Sequence, residues 1–360
     1  MCRQPALYLF IRVAASDQMP EPRHLRWLCR VPCYINIGKT TGGYSPMPSS
    51  TVRTFADPDD YAASFLGTNV KMTITGSGRF EAKVIRIDLG RLQLGRISDN
   101  LPRISHSADF TGVTTISFST QPGPSLIRGG LDMLPSNLIR CGNGQNFFRR
   151  SAGRAGFGLM SLPVEEMATV EAIAGCDLMA PKDALSVTPS PAAMTKVQRL
   201  HLVAGNLAED APAVIAHAEA ARGLEQALIE AMADCLRTAE VAEDSSARRQ
   251  HAAILRRFNR MLEENPDQAL FIPEVCRAIG ATERTLRACC HEILGVGPKR
   301  YLLLRRMHLV RRSLRESAAT ATTVTEIATR YGFWQFGRFA GEYKALFGES
   351  PSAMLARPPE

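Results

Sequence analysis

The 360-residue chain is 45% hydrophobic and 22% charged, the balance of an ordinary globular protein long enough for two cores. It has no apolar run near the ~20 residues that span a bilayer. Its net charge of +8 lies at one end: residues 248–360 hold 19 Lys and Arg against 11 Asp and Glu, whereas residues 1–247 hold 24 of each. A neutral region joined to a basic one is the pattern expected when one domain meets a polyanion.

Residues 1–50 mix Arg, Pro, Gly and Ser and end in Gly42-Gly43-Tyr44-Ser45-Pro46-Met47-Pro48. They are expected to be a poorly structured arm or the product of an upstream start codon, and carry no assigned function. Ala6–Ala15 is short and interrupted by Arg12, so it is not read as a signal peptide. Nine cysteines, including Cys29, Cys33, Cys289 and Cys290, form no disulfide or zinc framework, and a reduced, cytoplasmic setting is expected.

From Arg53 the texture changes. Ala56-Asp57-Pro58-Asp59-Asp60-Tyr61 reads as a turn and short helix, and Gly76-Ser77-Gly78 separates two strand-like runs. Phe80, Ala82 and Val84 share one face. Ile85, Ile87 and Leu89 then continue after an apparent slip, followed by Leu92, Leu94 and Ile97. Val113–Ser119 and Phe157–Ser161 are further strands, with turns at Gln121-Pro122-Gly123-Pro124 and Gly129-Gly130. Short strands divided by Gly and Pro predict a small barrel or sandwich. Val164–Ala174, Ala192–Asn206 and Ala213–Arg237 are predicted helices. In the last, His217, Ala221, Leu224, Leu228, Ala231 and Cys235 form an apolar stripe that suits either the chain's own barrel or a second copy.

The C-terminal third repeats itself. Ile272–Gly280 matches Val324–Gly332 at an offset of 52. Leu286, Cys290, Gly295 and Pro298 then match Phe339, Tyr343, Gly348 and Pro351 at 53. Each copy reads as helix, turn, helix. Ile272, Val275, Cys276 and Ile279 face inward, Gly280 ends the first helix in a left-handed conformation, and Thr282 caps the second. That second helix buries Leu286, Cys289 or Cys290, and Ile293, leaving Arg284, Arg287 and His291 outward. In the other copy Ile327, Ala328, Tyr331, Phe339 and Tyr343 point in, while Gln335, Arg338 and Lys344 point out. Lys299–Glu316 is predicted to be one helix joining the copies, with Arg300, Arg305, Arg306, Arg311, Arg312 and Arg315 around Tyr301, Leu304, Val310 and Leu314. Held rigidly, two such units fit successive major grooves about 34 Å apart.

Thr282-Glu283-Arg284-Thr285-Leu286-Arg287 with Gly295–Leu302, and Ile327–Phe333 with Phe339, Tyr343-Lys344 and Phe347–Pro351, resemble the two signature units of the AraC/XylS transcriptional regulators. Gly332-Phe333-Trp334-Gln335-Phe336-Gly337-Arg338-Phe339 is similar to a subgroup that includes the ethanolamine-utilisation operon regulator. Phe55–Pro58, Leu101–Arg103 and Gly158–Pro163 resemble that family's cupin-type sensor. The resemblance implies an α+β two-domain protein. Residues 51–247 would form a cupin-like β-barrel with dimerisation helices, and residues 248–360 an all-α double helix-turn-helix domain. It also implies DNA-binding positions at Thr282, Arg284, Arg287, Ala288 and His291, and at Gln335, Phe336, Gly337, Arg338, Gly341 and Lys344. Ala288 and Gly341 stand where relatives often carry a long polar side chain, so the first reading helix is expected to supply more base contacts.

The expected activity is therefore transcription regulation, as in an activator, without enzymatic chemistry or cofactor. The expected partners are promoter DNA, a small-molecule effector and a second copy of the chain, with RNA polymerase as a further candidate and no membrane. His106, His201 and His217 include no His-x-His pair, which argues against a metal-dependent cupin oxygenase. Pro32-Cys33 lacks the surroundings of a repair methyl acceptor. An effector-independent DNA scaffold is the other alternative. Arg149-Arg150-Ser151 reads as an anion-binding element or, more simply, a solvated loop. Cys289-Cys290 is either core or an oxidation-sensitive pair inside a reading helix.

Overall fold

The structure is a computed structural model that describes residues 47–358 apart from 66–67, 111, 122–125, 143, 167–170, 172–174, 176–180, 242–245, 266–267 and 269. The N-terminal half is β-rich. One antiparallel sheet runs in the order β1 (Ser49–Phe55), β3 (Ala82–Asp88), β4 (Gln93–Asp99), β11 (Ala155–Pro163), β6 (Val113–Ser119), β9 (Leu138–Arg140), β12 (Leu185–Thr188), β13 (Glu240–Val241). A second runs β2 (Lys71–Ile74), β5 (Arg103–Ala108), β10 (Asn146–Ser151), β7 (Leu126–Arg128), β8 (Leu131–Met133). The expected barrel is thus two hydrogen-bonded sheets and is not closed. Between β8 and β9 the Asn137 side chain accepts from Leu134 and donates to the Asp132 carbonyl and to Ser186, holding a turn where a ladder would otherwise join the sheets.

The apparent slip in the β3 pattern is a strand buried on both faces. Ala82 and Val84 enter the core between the sheets with Met72, Ile97 and Phe157. Ile85 and Ile87 point the other way, into a core shared with α2 (Pro191–Asp210), α3 (Pro212–Ala216) and α4 (Ala218–Arg237). A period of two with both phases apolar is the mark of a strand covered on both sides. The two-residue turn Gly129-Gly130 has positive φ at both positions, as a tight hairpin between β7 and β8 requires. Glu225, buried in α4, accepts from the Arg91 guanidinium and from the backbone N–H groups of Arg91 and Leu92, pinning the β3–β4 turn.

The single helix expected over 213–237 is broken. His217 is extended and exposed, and caps α4 instead of belonging to its stripe. Ala221, Leu228, Ala231 and Cys235 pack on the large sheet, so the stripe serves the chain's own core. Residues 164–174 show a 3-10 turn, Val164–Glu166, and the rest of that predicted helix lies largely outside the described residues, as do Cys29, Cys33 and the Pro122–Pro124 turn. Arg149-Arg150-Ser151 is no loop: it lies within β10, and Arg149 points between the sheets. His201 is buried with Nε2 3.1 Å from the Gly95 carbonyl and its ring edge-on to Phe118. No helix among the described residues is long and apolar enough to cross a membrane.

The C-terminal half is all helical: α5 (Ser246–Glu264), α6 (Ile272–Ile279), α7 (Glu283–Cys289), α8 (Pro298–Glu316), α9 (Val324–Arg330), α10 (Phe336–Phe347) and α11 (Pro351–Leu355). The first unit shares its core with the small sheet, since Ile104 and Phe148 pack among Phe258, Leu286, Ile293 and Tyr301. The second unit has a core of its own around Ile327, Phe339 and Tyr343.

Candidate nucleic-acid interface

The first unit is built as its sequence predicts. α6 buries Ile272, Val275 and Ile279 and ends at Gly280 with φ 67°. Cys276 is only half-buried. The Thr282 hydroxyl accepts from the Thr285 N–H at 3.1 Å, fixing the start of α7. Arg284, Arg287 and Ala288 are exposed along α7. Arg287 pairs with Glu283 at 3.0 Å on its own helix, a solvent-exposed contact that DNA can displace at small cost. The helix then widens into a π turn, Cys290–Leu294, before Gly295 ends it with φ 71°. This turn buries Cys290, Ile293 and Leu294 and leaves His291 exposed. Cys289 and Cys290 are both fully buried, and burial pushes their thiols up to about 11 and 12. Buried, protonated thiols are poor targets for oxidation, so the pair is core.

The second unit repeats the plan with weaker fastening. Thr323 and Glu326 form a reciprocal box at the start of α9, and Gly332 turns the chain with φ 76°. α10 has no side-chain cap at Gln335. Trp334, Gln335, Phe336, Gly337 and Arg338 are exposed at its start, Lys344 two turns on, and Arg338 pairs with Glu342 at 2.9 Å. A Cβ added at Gly337 or Gly341 would meet nothing within 4 Å. Packing does not demand glycine there, so the bare backbone is a property of the outer face itself. Trp334, 71% exposed, was not singled out from sequence. Its neighbour Phe336 was, and two aromatics flanking a polar residue at a helix start were the available signal.

The Arg-rich linker departs from expectation. Among the described residues, Arg300 alone of its six arginines has no partner outside its own helix. Arg305 donates to the Leu262 carbonyl, and Arg306 to that of Gly332. Arg311 contacts Asp57 and Asp59, Arg312 contacts Asp59, and Arg315 contacts Asp57 and Asp60. These three carboxylates come from the start of α1 (Pro58–Ala63) and its cap Asp57, in the N-terminal half. Burial alone would raise the Asp57 carboxyl, but Arg311 and Arg315 hold it below the usual carboxylate range. Three of the basic charges counted in the C-terminal third are therefore neutralised by carboxylates of the N-terminal half. His308 beside this clasp is buried, with Nε2 3.1 Å from the Ile74 carbonyl, and burial pushes it down to about 4.

Residues 275–357 match the family described as "Helix-turn-helix domain". They are a helix-turn-helix domain, similar in sequence to operon regulatory proteins. Over 98 residues, 27% of this chain and 30% of the relative, the sequence is 42% identical to a probable thc operon regulatory protein of Rhodococcus erythropolis. Over 101 residues it is 33% identical to XylDLEGF operon transcriptional activator 3 of Pseudomonas putida, covering 28% of this chain and 30% of that one. The chain thus spans about a third of the length of these curated relatives. A crystal structure of a probable AraC family transcriptional regulator from Rhodopseudomonas palustris is 30% identical, covering 29% of this chain and 98% of that one, with a TM-score of 0.27. Within the matched residues 275–357, α7 and α10 are the exposed second helices.

Proposed function

We propose that the protein is a sequence-specific DNA-binding transcription regulator, acting as an activator. In this reading residues 248–360 read promoter DNA, and residues 51–247, a cupin-like sandwich, sense a small-molecule effector. The observation that carries the reading is the pair of exposed second helices, each carrying an exposed arginine in its first turn and each following a first helix that buries one face in the core. Arg284, Arg287 and Arg338 suit guanine O6 and N7. Thr282, His291, Gln335 and Lys344 suit phosphates or base edges, and Phe336 suits a thymine methyl. Arg287 and Arg338 have only exposed intrahelical partners to give up. The assembly is a homodimer that also contacts RNA polymerase in the cytoplasm. Since the α4 stripe is consumed by the chain's own core, the pairing surface lies elsewhere, and exposed Leu202 and Val203 on α2 are its candidates.

Genome-wide footprinting of the purified chain on its own genome tests the reading. A small set of promoters carrying paired half-sites is expected, with log affinity falling by ~0.9 per phosphate contact per log unit of salt. Arg284→Ala and Arg338→Ala should each weaken preferred sites by about 1–3 kcal/mol and relax sequence choice at one position. Sequence preference untouched by both changes would overturn it.

A further inference from the structure

We propose that the space between the two sheets binds a small organic acid, its carboxylate held by Arg149 with Arg103 and Arg128 beside it. The space they line measures about 570 Å³ counted out to open solvent. The space has more room than one water needs. The walls divide by chemistry: Phe65, Val70, Met72 and Leu159 are apolar, whereas the three arginines converge from β5, β7 and β10.

The charges inside do not balance. Arg103 donates to Asp99 at 2.5 Å, and Arg128 pairs with Asp109. Arg149 pairs with no carboxylate among the described residues. Its guanidinium lies 4.0 Å from the Phe157 ring centre and 5.3 Å from that of Phe147. Three guanidiniums thus face two carboxylates. The Nε atoms of all three arginines and Nη1 of Arg103 are buried without a hydrogen-bond partner. Arg103 and Arg128 are 2% and 1% exposed. Unsatisfied buried N–H groups are costly and rare in native proteins. Asp99 Oδ1 and Asp109 Oδ2 are buried and unpartnered too, so what the cluster lacks is one negative charge at Arg149, which a carboxylate supplies in a shape that fits the guanidinium fork. Burial beside two other arginines pulls Arg149 down to about 9, which still leaves it charged at neutral pH. The aromatic and aliphatic walls favour an acid with a short hydrocarbon body over an inorganic anion.

The position also couples to the DNA-binding half, a clause that rests on the function proposed above. Side chains alternate along β10. Phe147 and Arg149 face the void. Phe148 packs edge-on to Tyr301 of α8 at 6.1 Å between ring centres, and Arg150 lies against Gly295 at the end of the first reading helix. The next residue after Arg128, Gly129, accepts from Arg248 of α5 at 3.1 Å. A ligand that draws the arginines toward itself therefore moves strands that seat the first reading helix, and shifts populations to the extent that it binds one arrangement better.

Thermal denaturation and titration calorimetry on the full chain test the site, with hexanoate as probe and hexanamide and inorganic phosphate as controls. Hexanoate at ten times its Kd should raise Tm by about 3 °C, and the controls should not. Arg149→Met should abolish the hexanoate shift and leave the unliganded Tm equal or higher, because it removes an unpaired buried cation. Arg149→Lys keeps the charge without the fork, and should weaken hexanoate about tenfold. Equal binding of hexanamide, no binding of hexanoate, or an unchanged shift in Arg149→Met would overturn the proposal. DNA affinity of the unliganded wild-type chain is measured alongside; its absence would sink the regulator reading and leave the binding site standing.

Discussion

The two helix-turn-helix units share a plan and differ in how they are held. The first has no boundary with the β-rich half: Phe258 and Tyr301 lie in the same core as Ile104 and Phe148 of the small sheet. The second keeps its own core and is tied to the β-rich half chiefly by the clasp of Arg311, Arg312 and Arg315 on Asp57, Asp59 and Asp60, with His308 beside it. Apolar packing holds no charge to screen or titrate, whereas a clasp of charges is weakened by salt screening and by protonation of its carboxylates. The same repeat is thus mounted once rigidly and once through contacts that conditions can release.

The largest expected difference comes from the cores. Phe258→Ala and Phe339→Ala each remove a ring that is at most 2% exposed, at a cost of about 3–5 kcal/mol. Hydrogen exchange should show the first change loosening both the small sheet and α6–α7. The second should loosen α9–α11 alone. Identical exchange patterns would erase the comparison. Next is the clasp. Arg311→Met leaves Asp57 and Asp59 short of a partner in a largely buried setting, and should cost about 3 kcal/mol by denaturant titration, with faster exchange confined to the second unit.

The pH dependence sharpens the contrast. His201 and His308 have folded values near 4 against 6.5 when free. The unfolded chain therefore binds their protons first. Their contribution is full above pH 6.5, declines as pH falls, and is gone near pH 4, a loss of up to about 3 kcal/mol for each. Asp57, held below 3.8, keeps its contribution until lower pH and then loses it as its own lowered value is crossed. His308→Gln should flatten part of the slope between pH 6.5 and 4 in a urea series, and an unchanged slope would remove His308 from the account. The smallest effect separates the reading helices themselves. Thr282→Ala should cost about 1 kcal/mol, whereas Gln335→Ala, at an uncapped start, should cost almost nothing.

Much of this was legible in the chain, for reasons that differ by region. The repeat, the two turns at Gly280 and Gly332, the Thr282 cap and the buried face of α8 follow from local rules, in which the residues concerned lie within one or two turns of each other. Strands were found where β-favouring residues run together between turn signals, as at Val113–Ser119. The choice between barrel and sandwich, the break at His217 and the π turn after Cys289 were not, because none changes the local pattern enough to be read.

The sequence alone determined that two helix-turn-helix units exist and which side chains each turns outward, since helical periodicity and capping are short-range. Only the tertiary structure decided what the arginines do. Arg311 meets Asp57 across 254 positions of chain, and Arg149 faces a void beside two arginines from other strands. A charge is visible in a sequence, but its partner is chosen by folding.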